Sequence, residues 1–141
     1  MTQMSQAHAG LEHWHKVIEG GSTVEALSEI LHEDVVFHSP VVHTPQVGRA
    51  ITTAYLSAAS KTLGNSSFQY LREVASDQTA VLEFQTEMEG IQVNGIDMIT
   101  FDNDGKIIDF KVMVRPLKAV NKVWEMMGAH LEKAQKVRQT A

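Results

Sequence analysis

The sequence predicts one α+β domain: three helices with a short strand among them, then four antiparallel strands, then a closing helix. Three observations predict it. Apolar residues recur at helical spacing up to about residue 62 and then alternate one in two between Phe68 and Val114. The turn signals Asp77-Gln78, Glu89-Gly90 and Asn103-Asp104-Gly105 cut that second half into strand lengths. Pro116 then opens a last segment with an apolar stripe.

Each element follows from local chemistry. Leu11, Trp14 and Ile18 mark a first helix over 7–19, stopped by Gly20-Gly21. Ser22-Thr23-Val24-Glu25 has the form of a capping box and opens a second helix with Leu27, Ile30 and Leu31 on one face. After Asp34, Val35-Val36-Phe37-His38 is a β-prone tetrapeptide that Pro40 ends. A loop with Pro45 and Gly48 leads to a third helix, about 49–62, with Ile51, Ala54, Tyr55, Ala58 and Ala59 on one side. Strands follow over 68–74, 80–88 and 91–102, and the last alternates Ile108, Phe110, Val112 and Val114 against Asp109, Lys111, Met113 and Arg115. Asn94-Gly95 falls inside the third of these strands and reads as a bulge. The closing helix carries Leu117, Val120, Trp124, Met127 and Leu131. The concave sheet face is expected to hold Leu82, Phe84, Ile99, Phe110 and Val114.

Bulk properties narrow the function. The 141 residues suit a single domain over 1–141, with its core over about 8–130. A net charge of −5 without a Lys/Arg cluster argues against nucleic acid. With no Cys there is neither a thiol nucleophile nor a Cys-ligated zinc. His13 and His15 are two apart, which does not put them on one helix face, so no metal is expected. No apolar run approaches the roughly 20 residues of a membrane span, and Met1 to Gln6 lacks the pattern of a secretory signal. A cytoplasmic protein without a cofactor is expected.

Asp34-Val35-Val36-Phe37-His38-Ser39-Pro40, Gly48-Arg49, Ile96-Asp97 and Phe101-Asp102-Asn103-Asp104-Gly105-Lys106-Ile107, in that order, resemble the nuclear transport factor 2-like superfamily. Its members include ketosteroid isomerases, limonene-epoxide hydrolases and SnoaL-like polyketide cyclases. The resemblance implies a cystatin-like roll: a cone-shaped curved antiparallel sheet packed on N-terminal helices, with a C-terminal helix and an apolar pocket. It also implies roles. Asp97 matches the protonated oxyanion-hole acid of the isomerases. Their general base falls on Ser39, and an alcohol is too weak a base to take a carbon-bound proton unaided. Their oxyanion tyrosine falls on Trp14 or His15, and a supporting tyrosine on Tyr55. The hydrolases' Arg, two residues before the acid, falls on Gly95. SnoaL-like cyclases are the nearest functional comparison, since the strand acid and the pocket are kept.

The residues themselves point to the same place. A carboxylate in an apolar strand is costly unless it has a partner or a task. Asp97 is therefore either a ligand-contacting acid or a structural acid held by a neighbouring Tyr, Trp or Arg. His38 is the candidate base, because histidine titrates near neutral pH; His43 is a second. Trp14, Tyr55, Phe68, Leu82, Phe84, Ile99, Phe110 and Val114 are the candidate ligand-binding residues, with Tyr70 beside them. The expected function is binding of a small, apolar, oxygen-bearing molecule, either for isomerisation, cyclisation or hydrolysis without a cofactor, or by a non-catalytic binding or dimerisation module. Lys111, Met113 and Arg115 mark an outer sheet face suited to a homodimer.

Overall fold

The computed structural model describes residues 6–140, with side chains to residue 129. The chain runs α1 (Gln6–Glu19), α2 (Val24–Ile30), β1 (Leu31–His38), β2 (Gln46–Val47), α3 (Arg49–Leu63), β3 (Gln69–Ser76), β4 (Thr79–Met88), β5 (Ile91–Phe101), β6 (Ile107–Arg115) and α4 (Leu117–Thr140). This is the α+β order expected, with the two-residue β2 added where a loop was expected. The strands form one curved sheet in the order β2-β1-β6-β5-β4-β3. Helices α1, α3 and α4 all pack against it.

The buried face of the sheet follows from strict alternation. β4 turns Ala80, Leu82, Phe84, Thr86 and Met88 inward, and β5 turns Val93, Gly95, Asp97, Ile99 and Phe101 inward. On β6, Phe110 and Val112 continue that face. Phe84 and Phe110 thus share one side, as expected. Burial of these side chains supplies the main driving force for closing the helices onto the sheet.

Several expectations need correction. The sheet is mixed rather than wholly antiparallel: β1 lies parallel to β6, with Phe37 opposite Phe110 and His38 opposite Lys111. A parallel pair needs a long crossover, and everything from α3 to β5 supplies it. β1 also starts at Leu31, which is a fully buried strand residue paired with Ile107 rather than part of the α2 face. The helix cap falls one residue later than the Ser22 box. Thr23 Oγ1 accepts from the Ala26 amide at 3.1 Å, while Ser22 takes a positive φ of 52° that leads the chain out of α1. On α3, Ile51 is exposed, and the buried side is Thr52, Leu56, Ala58 and Leu63, one step round the helix. Leu131, assigned above to the last helix's apolar stripe, lies outside the residues whose side chains are described.

Asn94-Gly95 is not a bulge. β5 pairs residue by residue with β4 from Ile91 to Thr100, and Asn94 and Gly95 face Arg115 and Val114 of β6 in unbroken register. The glycine answers a different need, the close approach of another group to a strand. A Cβ at residue 95 would lie 2.6 Å from Cζ of Phe84 and would also run into the Met113 carbonyl. Gly95 is therefore the notch that lets the Phe84 ring lie flat across the sheet. Gly95→Ala should destabilise the fold by about 1–3 kcal/mol through overpacking, read by urea denaturation. A change within about 0.5 kcal/mol, typical of an indifferent surface site, would show that Phe84 does not depend on the notch.

Candidate functional site

The concave sheet face and the helices enclose a cavity of about 370 Å³. Its walls are largely aromatic: Trp14, Phe37, Phe68, Tyr70, Phe84 and Phe110 all line it. The rings lock one another. Phe68 stacks on Phe84 with centroids 5.5 Å apart and meets Tyr70 edge-on at 5.1 Å, while Trp14 lies tilted on Phe110 at 5.2 Å. Leu56, Val112, Val123 and Met127 add aliphatic surface. Ser39, Ser60 and Asn65 contribute neutral polar groups.

Asp97 stands among these rings. It sits mid-strand, between Leu82 of β4 and Val112 of β6, and the alternation of β5 forces its side chain inward. Only 8% of it is exposed. The Tyr70 hydroxyl donates to Asp97 Oδ2 at 2.9 Å, and the Trp14 indole N–H donates to the Tyr70 oxygen at 3.1 Å. Burial pushes the Asp97 pKa up to about 7, because an ionised carboxylate loses its hydration; the Tyr70 hydrogen bond pulls the other way and is the weaker influence. Burial, and then the charge of Asp97, raise the Tyr70 hydroxyl above its ordinary value. No other Asp or Glu, and no Lys, Arg or His, lines the cavity among the described residues.

The candidate residues separate into two groups. Trp14, Phe68, Phe84, Phe110 and Asp97 line the cavity together. Leu82 and Ile99 face inward but are fully buried in the core and do not reach it. Tyr55 packs its ring on the far side of Phe37, centroids 5.2 Å apart, instead of lining the cavity. Val114 lies at the end of β6 and borders a groove on the outer face with Met113 and Arg115. His38 is a correction of the same kind. Phe37 takes the inward position of β1, so His38 turns outward and its Nε2 lies 3.0 Å from Asp109 Oδ2. It does not line the cavity. His43 is exposed in the loop. Ser39 does line the cavity, but its Oγ accepts from the Val41 and Val42 amides at 3.1 and 3.3 Å, which orients it toward its own loop.

Tyr70 is the residue whose role the sequence reading missed. It was visible as an aromatic two positions after Phe68, hence on the same strand face. Its pairing with Asp97 depends on β3 and β5 flanking β4, a distance across the sheet that no local pattern encodes.

Comparisons with known proteins agree with this fold. A family model described as the SnoaL-like domain matches residues 11–110. No curated protein matches the chain. Among solved structures, a steroid delta-isomerase from Pseudomonas aeruginosa is similar at 36% identity and a TM-score of 0.87, over 96% of this chain and 98% of its own. An uncharacterised bacterial protein with a cystatin-like fold, from Silicibacter pomeroyi, is similar at 27% identity and a TM-score of 0.84, over 94% and 92%. A protein described as a SnoaL-like polyketide cyclase, from Jannaschia, shares the fold at 8% identity and a TM-score of 0.68, over 87% and 96%.

The raised Asp97 pKa makes stability depend on pH with a definite sign. The native acid keeps its proton up to about 7, whereas the ordinary value is 3.8. Between those values the native state binds more protons than the unfolded state, so stability falls as pH rises and levels off above the native pKa. Asp97→Asn removes this dependence. From about pH 5 to about pH 8, wild type should lose on the order of 2 kcal/mol more than the variant, read by urea denaturation at each pH. Parallel pH profiles would mean that Asp97 titrates normally.

Proposed function

The chain belongs to the SnoaL-like domain family, and from that membership we propose that it binds a small, mostly apolar molecule in its cavity, with an oxygen of the ligand seated on Asp97. One observation carries the reading: a single carboxyl group, held by Tyr70, in a cavity otherwise lined by aromatic, aliphatic and neutral polar residues. Such a wall rewards apolar surface and offers one strong polar anchor, the usual division of labour in small-molecule sites. The volume falls at the lower end of the roughly 300–1,000 Å³ of such pockets. Below its pKa, Asp97 is a neutral acid and donates to a carbonyl oxygen. The likeness to a steroid delta-isomerase supports a ring-bearing ligand of similar character.

A second reading is favoured by the Asp97 pKa itself. A carboxyl group that titrates near neutral pH is poised to take and return a proton. Isomerisation or cyclisation without a cofactor then needs Asp97 to serve as both acid and base, since Ser39 is a weak base and His38 faces away. Hydrolysis has less support, because among the described residues no second carboxylate and no histidine line the cavity to activate water.

We further propose a cytoplasmic homodimer joined through the outer sheet face. Val74 and Met113 are exposed there at 63% and 48%. A polar row crosses the same face from Arg72 through Glu83 and Asn94 to Arg115. Exposed apolar area beside ordered charges suits a self-complementary contact. Sedimentation at micromolar concentration should give a dimer; a monomer would count against the contact.

The ligand reading is tested with the bicyclic ketone decalone and its hydrocarbon decalin. Asp97→Asn keeps a partner for Tyr70 and is nearly isosteric, but its amide is a weaker donor than a carboxylic acid. At about pH 6, it should weaken decalone binding by roughly 10-fold, which is about 1.4 kcal/mol, and leave decalin unchanged. Equal loss for both compounds, or a loss of folding stability with binding intact, would make Asp97 a structural acid.

A further inference from the structure

We infer that Trp14 and Tyr70 are positioning residues that hold the acidic proton of Asp97 on the carboxyl oxygen facing the cavity, so that the site selects a neutral ligand bearing a hydrogen-bond acceptor. The inference rests on the ligand reading above and names the chemistry that the same site prefers.

Donor direction places the proton. An indole N–H can only donate, so at 3.1 Å the Trp14 group must give its hydrogen to the Tyr70 oxygen. The tyrosine has a single hydroxyl hydrogen. Trp14 can only donate to the hydroxyl, and among the described hydrogen bonds Asp97 Oδ2, at 2.9 Å, is the acceptor that hydrogen has. Oδ2 is thereby fixed as an acceptor. When Asp97 is neutral, its proton belongs on Oδ1, which has no protein partner among the described hydrogen bonds. Trp14 is 3% exposed and wedged against Phe110, so the first link of the chain is rigid. Carbonyl ligands meet a donor. An alcohol must instead use its own lone pair there and gains nothing from its hydrogen. Carboxylates find no cationic partner in the wall among the described residues.

Other titratable groups near the chain are few. His15 of α1 and Glu73 of β3 pair at 2.6 Å, with the His15 ring edge-on to Tyr70 at 5.8 Å. The cavity residues of α3, β4, β6, α4 and the loop after β1 are uncharged, among them Leu56, Phe84, Phe110, Met127 and Ser39. A His15→Gln variant therefore controls for this neighbouring ion pair.

The experiment is the titration of the Asp97 carboxyl by carbon-13 NMR in wild type, Tyr70→Phe, Trp14→Phe and His15→Gln, without ligand. Tyr70→Phe removes a hydrogen bond to the ionised form and should raise the midpoint by about one unit. Trp14→Phe should move it the same way by a smaller amount, about 0.3 unit, because a tyrosine hydroxyl that no longer accepts is a poorer donor and becomes free to accept the Asp97 proton itself. In that variant, the preference for decalone over decalin should fall roughly 5-fold, apart from any change the smaller ring makes to the binding of both, since the cavity-facing donor is lost. A midpoint unmoved in Trp14→Phe overturns the relay. If that variant does not fold, an unmoved midpoint in Tyr70→Phe does so instead. A shift seen equally in His15→Gln assigns it to the neighbouring ion pair and also overturns the relay. Should the midpoints move while wild type shows no preference for decalone over decalin, the relay stands and the ligand reading fails.

Discussion

A carboxyl group has been taken out of water at the centre of this fold, and much of the interior is arranged around it. Ionised and unpaired there, Asp97 would cost several kcal/mol, on the order of what a small domain has to spare. The protein limits that cost in two ways. The Tyr70 hydroxyl supplies a hydrogen bond to one carboxyl oxygen, and the surroundings raise the pKa to about 7, so that roughly half of the acid is neutral at neutral pH. Both need a particular architecture. β3 must lie two strands from β5 for Tyr70 to reach, and α1 must close over the sheet for Trp14 to reach Tyr70. Gly10 of α1 belongs to the same arrangement, because a side chain there would collide with the Phe101 ring and lift the helix.

Cavity and core are therefore one construction. Phe84 walls the cavity and crosses the sheet only because residue 95 is glycine. Phe110 supports Trp14 from one side and Phe37 from the other, with centroids 5.2 and 6.0 Å away. Phe37 in turn exists as a wall residue because β1 pairs parallel to β6 in the register that sets Phe37 against Phe110. A change in that register by one residue would bring His38 inward and send Phe37 to the surface. The same register thus turns His38, the first candidate base of the linear sequence, away from the cavity.

Much of the fold was legible because it is written in short-range patterns. Alternation from Ala80 to Met88 and around Asp97 gave the inward face, and the turn residues gave the strand lengths. What escaped was non-local. Nothing between Val35 and His38 announces that its neighbour is a strand about 70 residues later, so the parallel pairing and the outward turn of His38 were hidden. Asn94-Gly95 looks like a turn or bulge by composition, yet its glycine answers a ring on the adjacent strand. Of the site, the acid and four of its aromatic neighbours were readable from hydrophobic alternation. Leu82, Ile99, Tyr55 and Val114 share the inward pattern or the apolar character but end in core, behind another ring, or packed beside the core near the end of β6. Pattern distinguishes inside from outside; it does not distinguish a cavity wall from solid packing.

The central claim is that a neutral Asp97 anchors the oxygen of an otherwise apolar ligand. The most direct measurement is a crystal structure of the protein with decalone bound, grown at about pH 6. On this account the ketone oxygen lies about 2.6–3.2 Å from an Asp97 carboxyl oxygen, with the rings against Phe68, Phe84 and Phe110 and the Tyr70 bond to Oδ2 intact. A ketone turned the other way, its oxygen on Ser39 or Ser60 and its hydrocarbon rings against Asp97, would contradict the account.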